Sequence, residues 1–331
     1  MKQTKISVIG DGGWGTTLAI LLCKNGHSVC LWGAFPEYIK KMQKTRKNQK
    51  FLPGIDIPKK IMLLESLKDA LNYSDVIVLA VPSEFLRSTL KEIKKNDISK
   101  KIFLSVVKGI NTSSLKRMSE LIHEELGAVK FAVLSGPTIA IEVAKGIPST
   151  AVIASHNAPL AKKLQKVFNS PTFRIYTNSD IIGVELGGSI KNIIAIACGV
   201  CDGLGLGTNT KAAILSRGLA EMSRLGKALG AKSKTFSGLS GLGDLTTTCF
   251  SPKSRNRFVG EQLGKGKTLK NIMSSMAMVA EGVPTAKGVY RLSQKCNISM
   301  PITAEVFNIL YKNKKASIAV RDLMNRRMKS E

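Results

Sequence analysis

The first half of the chain is punctuated by short runs of branched apolar residues. They cover residues 5–9, 28–32, 62–64, 75–81, 101–107, 130–135, 150–155 and 172–177, each the length of a strand. The run Val76-Ile77-Val78-Leu79-Ala80-Val81 is apolar throughout. That pattern suits a parallel strand covered on both faces. Amphipathic stretches over 16–24, 35–50, 66–72, 115–126 and 159–169 predict helices between the strands. Such alternation predicts a doubly wound α/β sheet. After Ile175 the period changes and no further strand is expected. Helices are predicted over 180–203, 211–229, 256–265, 268–275, 285–295, 303–311 and 317–327. The reading is two domains, 1–180 α/β and 181–331 helical.

The first strand runs into Gly10-Asp11-Gly12-Gly13-Trp14-Gly15 and then a helix carrying Leu18, Ala19, Leu21 and Leu22. Strand, G-x-G-x-x-G and helix in that order make a dinucleotide-binding, Rossmann-type fingerprint. Gly10 makes the tight turn, Gly12 lets a pyrophosphate approach the backbone, and Gly15 lets the helix pack on the strand. The helix N-terminus offers N–H groups and a positive dipole end to the phosphates. An acid at the end of the second strand ordinarily holds the ribose 2′-hydroxyl. Gly33, Ala34 and Phe35 stand there instead, and Glu37 falls inside a helix started by Pro36. Neither NAD nor NADP is selected by this stretch, so use of both is expected, with Lys40 and Lys41 as possible help for a 2′-phosphate.

Polar residues follow three strands at Pro82-Ser83, Lys108-Gly109 and Gly136-Pro137-Thr138. The carboxyl ends of strands are where open α/β sheets collect ligands. In the second half, Lys191 lies in the apolar stretch before Ile193-Ile194-Ala195-Ile196-Ala197. Desolvation there would make it a candidate acid/base; the alternative is a lysine whose head reaches water. Residues 238–249 read as a Gly-rich loop ending in Asp244 and hydroxyls. Ser254-Arg255-Asn256-Arg257 follows at a helix start, either a phosphate clamp or a capped helix with exposed arginines.

Composition changes the picture in one respect. Lys+Arg is 50 against Asp+Glu 23, a net charge of +27, which suits acidic partners such as phosphorylated metabolites. The lysines are spread along the chain and no nucleic-acid motif accompanies them, so nucleic acid is not an expected partner. Cys198-Gly199-Val200-Cys201 has C-x-x-C spacing but lacks both a thioredoxin-like context and a second pair for zinc. Both cysteines are read as helix residues. His27, His123 and His156 have no ligand spacing, and no metal is expected. Six cysteines, no leader-like N-terminus and no membrane-length apolar run place the protein in the cytoplasm.

Taken together the blocks GDGGWGTTLA (10–19), VVKGI (106–110), LSGPTIA (134–140), ELGGSIKNIIAIACGVCDGLGLGTNTKAAIL (185–215), GLGDLTTTC (241–249), SRNR (254–257) and AEG (280–282) resemble the bacterial NAD(P)-dependent glycerol-3-phosphate dehydrogenases. The resemblance spans nearly the whole chain. It implies a Rossmann-type domain followed by a helical one. It also implies reversible hydride transfer between NAD(P)H and dihydroxyacetone phosphate, glycerol 3-phosphate for phospholipid synthesis, and a homodimer. It makes Lys191 the acid/base, oriented by Asp244. It lines the substrate site with Lys108, Gly136, Thr138, Asp244, Ser254, Arg255 and Asn256. It lays Gly13, Trp14, Ala34, Phe35, Lys108, Ala140, Arg255, Val279 and Glu281 along the cofactor, beside Gly10, Gly12 and Gly15. Two positions depart from the family: glycine at 13 where serine is common, and Ala34 where a basic or imidazole side chain is common. The rival readings are a hydroxyacid dehydrogenase of the same layout, a nucleotide sensor without catalysis, and a basic surface-binding protein.

Overall fold

The computed structural model describes residues 3–276, 278–328 and 330. The chain divides into two units. One takes the chain up to Lys108 and again Lys116–Glu185; the other takes Gly109–Leu115 and everything from Leu186 onward.

In the first unit all eight expected strands form: β1 (Lys5–Ile9), β2 (Ser28–Trp32), β3 (Met62–Leu64), β4 (Val76–Leu79), β5 (Ile102–Ser105), β6 (Lys130–Ser135), β7 (Ser149–Ala154) and β8 (Phe173–Asn178). They make one sheet in the order β3-β2-β1-β4-β5-β6-β7-β8. Neighbours from β3 to β6 are parallel. β7 runs antiparallel to β6, and β8 parallel to β7. Helices α1 (Gly13–Lys24), α2 (Pro36–Thr45), α3 (Leu67–Tyr73), α4 (Leu86–Lys94), α5 (Met118–Leu126), α6 (Ala140–Ala144) and α7 (Ala158–Phe168) connect them. Every residue of β4 and β5 is buried. Helices on both faces make that possible, and each such Val, Leu or Ile stabilises the fold by about 1.5–3 kcal/mol. Edge strand β8 instead alternates, with Phe173 and Ile175 buried and Arg174 and Tyr176 exposed. The sequence reading omits α4, whose Leu86, Leu90 and Ile93 are buried at helical spacing.

The order of strands reverses at β1, which pairs with β2 on one side and β4 on the other. The crevice beyond the carboxyl ends of β1 and β4 is therefore the switch point where this class of sheet binds ligands.

The helical unit contains most of α8 (Ile181–Gly203), then α9 (Thr208–Ala228), α10 (Ser233–Phe236), α11 (Asp244–Phe250), α12 (Arg255–Gly264), α13 (Leu269–Ser274), α14 (Gly282–Lys295), α15 (Pro301–Tyr311) and α16 (Ala316–Met324). α8 is long and apolar enough to cross a membrane, yet it is almost wholly buried as a core helix. It meets α12 backbone to backbone: a β-carbon on Gly199 would lie 2.0 Å from Arg257 O, and one on Gly260 2.0 Å from Ile196 O. Cys198 and Cys201, also on α8, are buried free thiols. From α9, Glu221 accepts from Ile302 N at 2.6 Å and Thr303 N at 3.1 Å, placing a carboxylate on the N-terminus of α15.

By internal packing the first unit ends at Glu185, and residues 109–115 group with the helices. Glu185 is bound into the α/β unit. It accepts from Ser119 N at 2.7 Å, Ser119 Oγ at 2.6 Å and Arg117 Nη1 at 2.8 Å, all in the α/β unit. Burial pushes its carboxyl above the usual range, and Arg117 and Ser119 pull it back. Residues 238–249 are not a loop. Leu239–Gly243 form a π-helical turn that runs into α11. Gly241 serves packing: a β-carbon there would lie 2.0 Å from Phe236 O.

Candidate active site

The residues singled out by sequence fall into two groups, one in each unit. In the α/β unit, Gly10 has φ +123°, and a β-carbon there would lie 2.7 Å from the Ala80 carbonyl at the end of β4. A β-carbon on Gly15 would lie 1.9 Å from Gly10 O. Both positions are closed by the turn's own packing. Gly12 is different: its φ is −62°, and nothing lies within 4 Å of where its β-carbon would be. It is also the residue that caps α1, and among the described residues no side chain caps that N-terminus. Open space above uncapped helix N–H groups is what a pyrophosphate requires.

Around this turn, Asn48 Nδ2 donates to Asp11 O at 2.7 Å and to Thr16 Oγ1 at 2.8 Å. Ala140 lies alongside, its carbonyl accepting from Thr17 Oγ1 at 3.1 Å. The Trp14 ring packs edge-on to Phe173 at 6.4 Å. Ala34 follows β2, and Phe35, at the start of α2, is 67% exposed. Further along the sheet, Lys108 Nζ and Thr138 Oγ1 both donate to Gly136 O, at 3.3 and 3.1 Å. The turns after β5 and β6 thus come together.

In the helical unit, Lys191 and Asp244 are 6% and 1% exposed. Lys191 Nζ is paired with Asp244 Oδ1 and donates to Thr248 Oγ1 at 2.7 Å. Thr248 in turn donates to Asp244 O at 2.6 Å. The lysine head is therefore held by protein groups, and the water-facing alternative falls. Separating a buried pair leaves one uncompensated charge, at a cost of about 3–5 kcal/mol. Thr248 was missed because residues 238–249 read as a loop. Read as a helix, Asp244 and Thr248 stand at i, i+4 on one face.

Ser254 Oγ accepts from Arg257 N at 3.2 Å, so this serine does cap α12. Asn256 donates to Asn192 Oδ1 at 2.8 Å and accepts from Gly282 N at 2.9 Å, tying α8, α12 and α14 together. Asn192 carried no sequence signal beyond its place next to Lys191. The two arginines differ. Arg257 Nε is paired with Asp202 at 2.6 Å, whereas Arg255 Nη1 donates to the main chain at Val279 O, 2.7 Å away. Glu281 caps α14 through its main chain, two residues beyond Val279.

Two family profiles match the chain: the N-terminal domain of NAD-dependent glycerol-3-phosphate dehydrogenase over residues 5–161, and the C-terminal domain over 180–321. The chain belongs to this dehydrogenase family. A glycerol-3-phosphate dehydrogenase [NAD(P)+] of Chlorobium phaeobacteroides (strain BS1) is 49% identical over 330 residues, 99% of each chain. The crystal structure of glycerol-3-phosphate dehydrogenase from Coxiella burnetii superposes with TM-score 0.95 at 38% identity, covering 98% of this chain and 99% of that one. The Plasmodium falciparum enzyme gives TM-score 0.88 at 28% identity, covering 99% and 97%.

The dehydrogenase is thus an NAD(P)-dependent oxidoreductase with a Rossmann-type unit and a helical one. Its glycine at position 13 has a local cause: a β-carbon there would lie 2.6 Å from Phe51 O. No serine fits without moving that loop.

Proposed function

We propose that this dehydrogenase transfers hydride reversibly between NAD(P)H and C2 of dihydroxyacetone phosphate, giving sn-glycerol 3-phosphate for glycerophospholipid synthesis in the cytoplasm. The observation that carries the reading is Lys191, buried and held by Asp244 and Thr248. Reduction of the ketone builds negative charge on O2. A fixed ammonium neutralises that charge and delivers the proton. Asp244 and Thr248 limit the directions in which Nζ can point. In the reverse direction the neutral lysine takes the proton from the C2 hydroxyl.

When bound, the nicotinamide supplies or accepts the hydride. Gly10, Gly12, Gly13, Trp14 and Gly15 would hold its pyrophosphate, with Ala34, Phe35, Ala140, Val279 and Glu281 along the rest. Lys108, Gly136, Thr138, Ser254, Arg255 and Asn256 complete the substrate contacts. A homodimer is the assembly we expect. The test is turnover of dihydroxyacetone phosphate with NADH and with NADPH, read at 340 nm. Turnover confined to non-phosphorylated hydroxyacids would overturn the substrate.

The glycine turn yields a separate prediction. In Gly12→Ser the added β-carbon meets no atom within 4 Å and φ stays at −62°, within ordinary range, and serine is a good cap. The protein should unfold at the same denaturant midpoint. NADH and NADPH should both bind about tenfold or more weakly, because a hydroxymethyl group now fills the pyrophosphate's room. Unchanged cofactor affinity would refute the cradle.

A further inference from the structure

We propose that Asp11 supplies, from the glycine turn, the ribose-binding carboxylate that β2 lacks, and that this makes the dehydrogenase selective for NAD over NADP. The proposal revises the expectation that both cofactors are used alike, and it rests on the reading that the Gly10–Gly15 turn cradles the cofactor.

The acid that holds the ribose 2′-hydroxyl ordinarily stands at the end of the second strand. Here the residue that follows the strand's last residue, Trp32, is Gly33, with no side chain. The structure puts a different carboxylate in that room. A β-carbon on Gly33 would lie 2.5 Å from Asp11 Cγ, 2.7 Å from Oδ2 and 2.8 Å from Oδ1. The Asp11 carboxyl thus occupies the room that a side chain at 33 would enter, and such a side chain would displace it. The group that the fingerprint needs at the strand end arrives from β1's turn.

Three further observations bear on what it binds. Asp11 is 8% exposed, and its Oδ2 is buried with no hydrogen-bond partner among the described residues. An unpartnered buried acceptor calls for a donor, and a hydroxyl is one. The aspartate's backbone is fixed: its carbonyl takes Asn48 Nδ2 at 2.7 Å and Thr16 Oγ1 at 3.2 Å. The carboxylate is thus carried on a rigid turn. Third, Lys40, which could have offered a cation to a 2′-phosphate, is bonded to Glu37 at 2.8 Å and lies 3.9 Å from Glu65. Burial raises the Asp11 carboxyl above its usual range, and Lys50 partly opposes this. A 2′-phosphate would add like charge to an already disfavoured anion, whereas a 2′-hydroxyl donates to it.

The experiment is equilibrium binding, by calorimetry, of NADH, NADPH, 5′-AMP and adenosine 2′,5′-bisphosphate to wild type, Asp11→Ser, Asp11→Asn and Gly12→Ser. A hydrogen bond to a charged group corresponds to roughly 10–100-fold in affinity. Wild type should prefer NADH over NADPH, and 5′-AMP over the bisphosphate, by about that factor. Asp11→Ser should bring both ratios to within about threefold, losing on the hydroxyl form and gaining on the phosphate form. Asp11→Asn removes the charge but keeps an acceptor, so it should gain the phosphate forms while keeping most of its NADH affinity. Wild-type ratios near one, or an equal response of both cofactors to Asp11→Ser, would overturn the assignment. Gly12→Ser distinguishes the underlying reading. If it weakens both cofactors equally, the cradle stands whatever Asp11 does. If it changes neither, the cradle fails and Asp11 with it.

Discussion

Lys191→Ala should lower kcat with dihydroxyacetone phosphate about 10²–10⁴-fold, the usual worth of a positioned general acid. The lysine is 6% exposed and held by Asp244 and Thr248, so its ammonium is fixed in place. The substitution also leaves Asp244 buried without its cation. Such a change lowers stability by about 3–5 kcal/mol, and lost activity alone could then mean lost fold. NADH affinity separates the two. The glycine turn belongs to the α/β unit, so binding there should stay near wild type while turnover falls. Lys191→Gln is the companion variant, retaining a donor for Asp244 without a transferable ammonium proton. Either variant keeping most of its turnover would remove Lys191 from the acid/base role.

Arg255→Lys should lower kcat/KM for dihydroxyacetone phosphate roughly 10–100-fold, the worth of a charge-assisted bond to phosphate. Arg255 stands at the first position of α12, whose N-terminal dipole favours an anion. Its Nη1 is held by Val279 O, and its neighbour Arg257 is occupied by Asp202. Lysine keeps the charge but cannot make a two-pronged contact. The phosphate is remote from C2, so binding energy there orients the ketone and shows in rate as well as affinity. Dihydroxyacetone, which lacks the phosphate, makes the control. Wild type should use it poorly, and the substitution should matter little. Equal damage on both substrates would place Arg255 on the cofactor or the fold instead.

The layer architecture was legible in local sequence. The strands are short, the central ones apolar on both faces, and each is read from its own residues, so Ile6 to Ile9 or Val76 to Leu79 need no distant information. The glycine turn was legible for the same reason: Gly10, Gly12 and Gly15 act within six residues, and the flanking strand and helix are local. Lys191 could be noticed but not decided, because an apolar stretch surrounds a buried lysine and a snorkelling one alike. Only the tertiary structure brought Asp244 and Thr248, more than fifty residues on, against its head. The same holds for the turn before α11. Its glycines look like a loop until Phe236 O is seen filling the space a side chain on Gly241 would need. The antiparallel β7 also escaped the sequence, since strand direction is set by the pairing partner rather than by composition. Asp11 is the clearest case. No acid follows β2, where Gly33, Ala34 and Phe35 stand. The carboxylate stands there all the same, delivered from another strand's turn by parallel pairing of β1 with β2, a proximity that sequence spacing does not encode.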